Sequence, residues 1–207
     1  MLDKIFLLTT TCFWVLIDME RLKLSIALDD RFEEKELQKI AEALGGAFEL
    51  KNRTYILKAS EESPPTAVFS FGEITKENIP YLLGVIRSDY WKKARKEISK
   101  ILARQRDGEA PLVSFECSIG GVKANMRCRT SEQKTLEAAF EHLYWALDSL
   151  WTLAHNKNLP RSPSQIYFGY HEASKRYRID RAVVLGSDFG EYEFDEKSGK
   201  WSKIASK

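Results

Sequence analysis

Hydrophobic and polar residues alternate with a period of two in some stretches of the chain and recur at helical spacing in others. From Leu22 to Leu28 every second residue is leucine or isoleucine, which is typical of a half-buried strand. From Glu33 to Leu44 apolar residues recur every three or four positions, and two glycines then mark a helix end. The chain is therefore predicted to open with a strand followed by a helix.

The next stretch predicts short strands and a long helix. Segments 47–50 and 54–59 flank a polar turn, so we interpret them as a hairpin, and residues 67–71 as a further strand. An apolar stripe at helical spacing then predicts a helix from about residue 75 to residue 106, in which Gly84 could introduce a kink. This helix is the first of two long ones.

The centre of the chain has the clearest pattern. Alternating segments at Leu112–Ile119 and Val122–Arg129 flank Gly120-Gly121, a pair that suits the primed turns of β-hairpins. Pairing across this turn places four apolar pairs on one face: Ile119 with Val122, Cys117 with Ala124, Phe115 with Met126 and Val113 with Cys128. The opposite face of the hairpin is then polar.

A second long helix is predicted from about residue 131 to residue 156, where apolar residues follow one another at alternating spacings of three and four. The side opposite this stripe also carries little charge, and it presents His142, Trp145, Ser149 and Thr152. Helices that are uncharged around most of their circumference are usually buried or lie in interfaces. We therefore predict these four residues as interface candidates, covered either by the carboxy-terminal strands or by a second copy in a homo-oligomer.

The carboxy-terminal part predicts an antiparallel β-meander. Four alternating segments follow Pro160 and Pro163, at 165–170, 177–185, 191–194 and 201–204. The fold class is accordingly α+β, with an antiparallel sheet or sheets, two long helices and this meander. We expect a main domain over residues 19–158, and the meander, 164–207, either stands apart or extends the main sheet.

The first 18 residues form an apolar segment whose role has several interpretations. The run Ile5–Ile17 is shorter than the roughly 20 residues that span a bilayer, and no small-residue cleavage signal follows it. We favour an extra strand, or a true start at Met19, over a membrane anchor. A membrane partner is accordingly not expected.

The amino-acid composition restricts the classes of protein to which the chain can belong. With 43% hydrophobic and 30% charged residues the chain is globular, and its excess of Lys and Glu over Asn and Gln indicates a thermophilic source. The three cysteines and three histidines lack metal-ligand spacing, and no nucleotide or cofactor motif is present. We expect no metal, no cofactor and a cytoplasmic location.

Basic residues are concentrated in one segment, although the whole chain has a formal net charge of only +2. Residues 87–106 contain eight lysines and arginines against Asp89 and Glu97. A ridge of Lys93, Lys96, Lys100 and Arg104 could follow a phosphate backbone, and Lys123, Arg127 and Arg129 on the polar face of the hairpin could extend it. A solvated helix face explains the same ridge without any ligand.

A third group of residues surrounds the first turn of the meander and combines acidic, basic and phenolic side chains. It comprises Tyr167, Tyr170, His171, Glu172, Arg176, Tyr177 and Arg178. An enzyme centred on His171 and Glu172 would need a pocket that encloses both. The leading hypothesis is a non-enzymatic protein that self-associates through the helix side at Trp145; the alternatives are nucleic-acid binding by the basic ridge and a small enzyme at His171 and Glu172.

Overall fold

The computed structural model describes residues 21–51, 55–57, 63–75, 77–104, 108–154 and 163–204, so the apolar segment 1–18 lies outside the described residues. The helices in this part are α1 (Glu34–Leu44), α2 (Ile79–Arg87), α3 (Asp89–Leu102) and α4 (Gln133–Ala154). The strands are β1 (Lys23–Asp29), β2 (Glu49–Leu50), β3 (Tyr55–Leu57), β4 (Thr66–Glu73), β5 (Leu112–Ile119), β6 (Val122–Arg129), β7 (Gln165–His171), β8 (Arg176–Val184), β9 (Gly190–Asp195) and β10 (Lys200–Lys203). A 3-10 turn, Glu172–Ser174, joins β7 to β8. The α+β class is confirmed.

The strands form one mixed sheet in the order β10-β9-β8-β7-β6-β5-β4-β1, and β2 and β3 both pair with the outer edge of β1. The expectation of antiparallel sheets is therefore wrong in part. Strands joined by a tight turn are antiparallel, but β1 with β2, β4 with β5, and β6 with β7 are parallel. Helices connect the strands of each pair, α1 for the first, α2 with α3 for the second and α4 for the third, and they return the chain to the end of the sheet where the first strand of the pair began.

The same geometry corrects the predicted hairpin at 47–50 and 54–59. Segments β2 and β3 follow one another along the same edge of β1, both in the parallel direction. Helix α1 has already reversed the chain before β2 begins, so the short strands continue beside β1.

The central hairpin and the meander agree with the alternation of the sequence. All four predicted apolar pairs between β5 and β6 are present, and Gly120 and Gly121 both have positive φ, as a primed turn requires. Strands β7 to β10 are antiparallel, and β7 joins them to the central hairpin by pairing with β6.

The first long helix is divided into α2 and α3 at Ser88, whose backbone is extended (ψ 157°). The Ser88 hydroxyl accepts a hydrogen bond from the Trp91 N–H, 3.2 Å away, and so caps α3. Gly84 lies within α2. The break turns Trp91 into the core, where its side chain is 2% exposed. The second long helix is observed as α4.

The helices form a layer on one face of the sheet, since α1 contacts α3, and both α2 and α3 contact α4. Phe69 of β4, Phe115 of β5 and Phe140 of α4 meet at the centre, with Phe140 4.8 Å from Phe115 and 5.8 Å from Phe69, ring centre to ring centre. The opposite face of the sheet carries polar side chains, among them Asn125 and Arg127. Among the described helices, none combines the length and the apolar character needed to cross a membrane.

Candidate functional site

Helix α4 has two different sides. The side formed by Leu136, Phe140, Leu143, Leu147 and Leu150 is at most 2% exposed and packs on the sheet and the neighbouring helices; we call it the packed side. The side formed by His142, Trp145 and Ser149 is open, with Trp145 53% exposed. We call it the cavity side, because all three residues line a cavity of about 530 Å³. Thr152, the fourth interface candidate, is exposed and does not line this cavity.

The opposite wall of the cavity belongs to the meander. Phe168 of β7, Tyr177 and Ile179 of β8, and Phe194 of β9 line it with mainly apolar surface. Phe168 of β7 and Phe194 of β9 each lie two residues beyond a buried residue of their own strand, Ile166 and Tyr192, and share its face. Ile179 and Tyr177 lie opposite Phe168 and Tyr170 and so point to the same face, because a bulge in β8 shifts its alternation after Ala182. The cavity is thus bounded by a helix on one side and by three strands on the other, and it is open to solvent.

The cavity exists because β8 and β9 separate. Within the described residues their ladder joins only Ala182–Val184 to Gly190–Tyr192, so the remainder of β9 diverges from the first half of β8. A β-bulge lies at this point, since Tyr167 and Phe168 of β7 pair with Arg181 and Ile179 and leave Asp180 as the extra residue. This separation leaves a space beside α4 that the side chains of His142 and Ser149 do not fill.

Charged side chains bridge the gap between the two strands. The Arg176 guanidinium is 2.8 Å from a Glu196 carboxylate oxygen, and the Arg178 Nε is 3.9 Å from the same oxygen. All three residues line the cavity, together with Lys175, which adopts a left-handed backbone conformation (φ 48°) at the start of the strand. The rim is therefore polar, whereas the walls are aromatic.

Three of the lining residues hold buried polar atoms that lack a hydrogen-bond partner in the described part of the chain: the Tyr177 hydroxyl, the His142 Nδ1 and the Arg178 Nε. Burial raises the pKa of Tyr177 well above its ordinary value, and the neighbouring Cys128 and Tyr170 add to the effect. The hydroxyl therefore keeps its proton at neutral pH and can donate it. A buried polar group without a hydrogen-bond partner lowers the stability of the folded protein by about 1–3 kcal/mol. Each such group in a native structure therefore needs a physical explanation.

Aromatic rings hold two of these groups in place. The Tyr170 ring stacks on His142 at 6.4 Å and contacts the Tyr177 ring edge-on at 5.3 Å, between ring centres. Burial raises the pKa of Tyr170 to about 12. The three rings form a continuous row between α4 and the meander, which fixes the positions of the His142 and Tyr177 polar atoms.

The structure separates His171 from Glu172. His171 is exposed and lies 3.7 Å from Asp180, in a depression on the polar side of the bulge. The Glu172 carboxylate instead accepts a hydrogen bond from the Thr135 hydroxyl of α4, 3.0 Å away. The backbone enters the 3-10 turn between them, so the two side chains diverge. This geometry gives no support to an acid-base pair.

The basic residues also form two surfaces instead of one. Lys93, Lys96 and Lys100 are exposed on the outer face of α3, and Arg104 lies 3.4 Å from the Glu36 carboxylate. Lys123, Arg127 and Arg129 are on the sheet face turned away from the helices, where Arg127 covers the Tyr167 ring and Arg129 lies 3.5 Å from Glu109. The helix ridge and the hairpin residues therefore do not form one continuous surface, and nucleic-acid binding by either group stays a prediction.

Sequence reasoning missed Phe168, Ile179 and Phe194 as site residues. Their alternation places them on the apolar face of the meander, which is the signal that could have found them, but that signal alone indicates core. Tyr177 and Arg178 were noted only as part of a polar turn. The separation of β8 from β9 is what distinguishes a cavity wall from a packed core here.

In the ranges that the structure describes, no three His, Cys, Asp or Glu side chains converge closely enough to hold a metal ion. The free thiols of Cys117 and Cys128 are buried, and burial raises the pKa of each from 9.0 to about 12, so neither has the character of a nucleophile. Comparisons of the chain with protein-family models, with curated proteins and with solved structures found no match.

Proposed function

We propose that the protein binds a small, predominantly apolar molecule in the cavity between α4 and strands β7–β9. The observation that carries this proposal is a space of about 530 Å³ with mainly apolar and aromatic walls and a polar rim. Ligand sites in proteins are typically concavities of about 300–1,000 Å³ with mostly apolar walls and a few polar groups. Both the size and the lining of this cavity fall within that description.

The test uses the neutral fluorescent probe N-phenylnaphthylamine. We expect a saturable increase in probe fluorescence with the wild-type protein. Ser149→Trp places a large ring in the cavity and is expected to weaken probe binding by about tenfold or more, equivalent to about 1.4 kcal/mol. Ser149 is exposed at the cavity wall, so the new ring need not disturb the packed side of α4.

Thr152→Trp is the matched control, because it adds the same ring to the same helix outside the cavity. This variant is expected to bind the probe as the wild type does. Thermal unfolding of both variants checks that they remain folded. Absence of saturable binding to the wild type, or equal binding by the Ser149→Trp variant, would contradict the proposal.

A second candidate is the self-association predicted from the sequence, which one observation favours. Trp145 is 53% exposed, and its ring lies against Tyr144 with the ring centres 5.1 Å apart. Exposed tryptophans are over-represented among the residues that dominate binding energy at protein interfaces. We expect light scattering to detect a dimer that Trp145→Glu converts to a monomer. Phe189→Glu, at another exposed aromatic residue, serves as the control, and a monomeric wild type would exclude this candidate.

A further inference from the structure

The sheet face turned away from the helices is strongly basic along three neighbouring strands, β6, β7 and β8. The register of these strands, with the bulge in β8, brings Asp180 to this face as their one carboxylate. The described helices all lie on the opposite face, so none of them covers these strands here. We call this surface the basic strip. Its six cations are Lys123, Arg127, Arg129, Arg176, Arg178 and Arg181.

Part of this positive charge has no acidic partner. Lys123 and Arg127 are exposed and form no ion pair with a carboxylate in the described part of the chain. The other four cations approach carboxylates from outside the strip, those of Glu109, Glu191 and Glu196, in pairs that solvent reaches. Exposed ion pairs contribute little free energy, so an anionic ligand can replace such a carboxylate at small cost. The basic strip therefore favours an anionic partner.

The middle strand of the basic strip carries a cluster of planar side chains. The Arg127 and Arg181 guanidinium carbons lie 4.9 and 4.7 Å from the centre of the Tyr167 ring. Asn125, only 5% exposed, accepts a hydrogen bond from the Arg127 Nε at 2.9 Å and so holds this guanidinium over the ring. The terminal nitrogens of Arg127 remain available to an acceptor. Nucleobases stack both on aromatic rings and on guanidinium planes, so the cluster suits a ligand that combines bases with negative charge.

The shape of the surface favours a single strand over a duplex. The major groove of DNA, about 12 Å wide, admits a helix or a two-stranded ribbon, whereas β6, β7 and β8 lie in the interior of a ten-stranded sheet. The bases of a duplex are also stacked on one another, so their faces cannot reach Tyr167. We infer that the basic strip binds single-stranded nucleic acid, with phosphates at Lys123 and Arg127 and a base stacked on the Tyr167 cluster. This function does not involve the cavity.

Fluorescence anisotropy with labelled, mixed-sequence oligonucleotides of about 12 nucleotides tests the inference. We expect the wild type to bind single-stranded RNA or DNA at least about tenfold more tightly than a DNA duplex of the same sequence. Tyr167→Leu should weaken binding of the single strand by about tenfold, because a base loses its stacking surface. Tyr144→Leu is the matched control, since Arg87 covers the Tyr144 ring at 5.1 Å in the same way, but on α4 in the helix layer. This control should bind as the wild type does.

A second pair of variants tests the charge without altering the ring. Arg127→Gln should weaken binding by about fivefold and lower the dependence of log affinity on log salt concentration by about one. Lys200→Gln removes one charge from exposed β10, outside the strip, and should change neither quantity. Both variants should bind N-phenylnaphthylamine as the wild type does. Because Arg127 is exposed, its variant keeps the test decisive even if thermal unfolding shows that Tyr167→Leu is not folded.

Three results would overturn the inference. The first is a wild type that does not bind the single strands, or that binds the duplex equally well. The second is an equal loss of affinity in Tyr144→Leu and Tyr167→Leu, or in Lys200→Gln and Arg127→Gln. The third is loss of binding on replacing Lys93, Lys96 and Lys100 by Gln while Arg127→Gln binds normally, which would assign the nucleic acid to α3.

Discussion

The packed side and the cavity side of α4 both lie against strands of the same sheet, but the side chains on the two sides are packed very differently. On the packed side, Phe140 meets the rings of Phe69, Phe115 and Trp91 at centre-to-centre distances of 4.8–5.8 Å. On the cavity side, His142 and Ser149 face Tyr177 and Phe194 across a cavity of about 530 Å³. Protein interiors are normally close-packed, so a space of this size beside a well-packed core is a departure from the packing of the rest of the molecule.

The difference also shows what the separation of β8 from β9 achieves. Where β5 and β6 remain paired along their whole length, alternation produces a continuous apolar face that is buried beneath the helix layer. Where β8 and β9 diverge after Tyr192, the same alternation delivers apolar residues around an opening. One helix thus contributes to a closed core and to the wall of a cavity at the same time.

The largest contrast is expected from removing one phenylalanine ring on each side. Phe140→Ala should lower the free energy of unfolding by about 3–5 kcal/mol, because the cavity it leaves is surrounded by rings that cannot collapse into it. Phe194→Ala, at the cavity wall, should cost only about 1 kcal/mol because the ring is partly solvated already. Urea unfolding measures both changes, and equal losses would contradict the distinction between the two sides.

Alkaline pH should weaken the packed face of the hairpin. Burial raises the pKa of Cys117 and of Cys128 from 9.0 to about 12, so the folded protein keeps protons that the unfolded chain releases above pH 9. The stabilisation from these thiols is complete below pH 9 and is lost as the pH rises toward 12. Each thiol then lowers the free energy of unfolding by at most about 1.4 kcal/mol per pH unit.

Urea unfolding between pH 7 and pH 11 tests this dependence. The double variant Cys117→Ala and Cys128→Ala should show a shallower decline than the wild type above pH 9, whatever its stability at neutral pH. The decline that remains is assigned to the buried phenols, since burial raises the pKa of Tyr170 to about 12. Parallel profiles for the two proteins would show that the thiols are not responsible.

Adding side-chain volume should have opposite effects on the two sides of α4. Ala139 is fully buried, so Ala139→Leu should overpack the core and destabilise the protein by about 1–3 kcal/mol. Ser149→Leu extends into the cavity and should stabilise the protein by about 0.5–1 kcal/mol, as cavity-filling substitutions commonly do. Thermal unfolding of both variants without ligand is the measurement, and destabilisation by Ser149→Leu would argue against an accessible cavity.

The smallest effect on stability is expected at the outer face of α3, the helix that covers the packed side. Replacing Lys93, Lys96 and Lys100 by Gln should change the free energy of unfolding by less than about 0.5 kcal/mol, because all three are exposed. If the ridge binds nucleic acid, as its spacing predicts, the variant should also lose affinity for mixed-sequence DNA or RNA and show a weaker salt dependence. Unchanged affinity would remove the ridge as a binding surface.

The sequence was sufficient wherever a local pattern determines structure. The alternation around Gly120 and Gly121 predicted the register of β5 with β6, and the spacing of leucines predicted α4. The parallel pairing of strands was not predicted from the sequence. A period of two shows which face of a sheet a residue occupies, but it does not show which strand lies beside that residue's own strand. The break at Ser88 was missed because a hydroxyl that caps a helix can equally lie inside one.

The candidate site was predicted only in part, for a related reason. The apolar character of the Trp145 side indicated that α4 carries more apolar surface than the central hairpin covers, and the structure places Trp145 at a cavity wall. The opening itself depends on where pairing between β8 and β9 stops and on the bulge at Asp180. Both are long-range properties of the sheet, so neither appears in the local pattern of residues.

Strand β10, at the outer edge of the sheet, affects how copies of the protein can meet. It is only four residues long, and exposed Lys200 and Lys203 flank Trp201, whose ring is buried against Phe194. Short edge strands that carry lysines resist backbone pairing with a strand of another molecule. Growth of the sheet from one molecule to the next, the first step toward cross-β aggregates, is therefore discouraged at this edge.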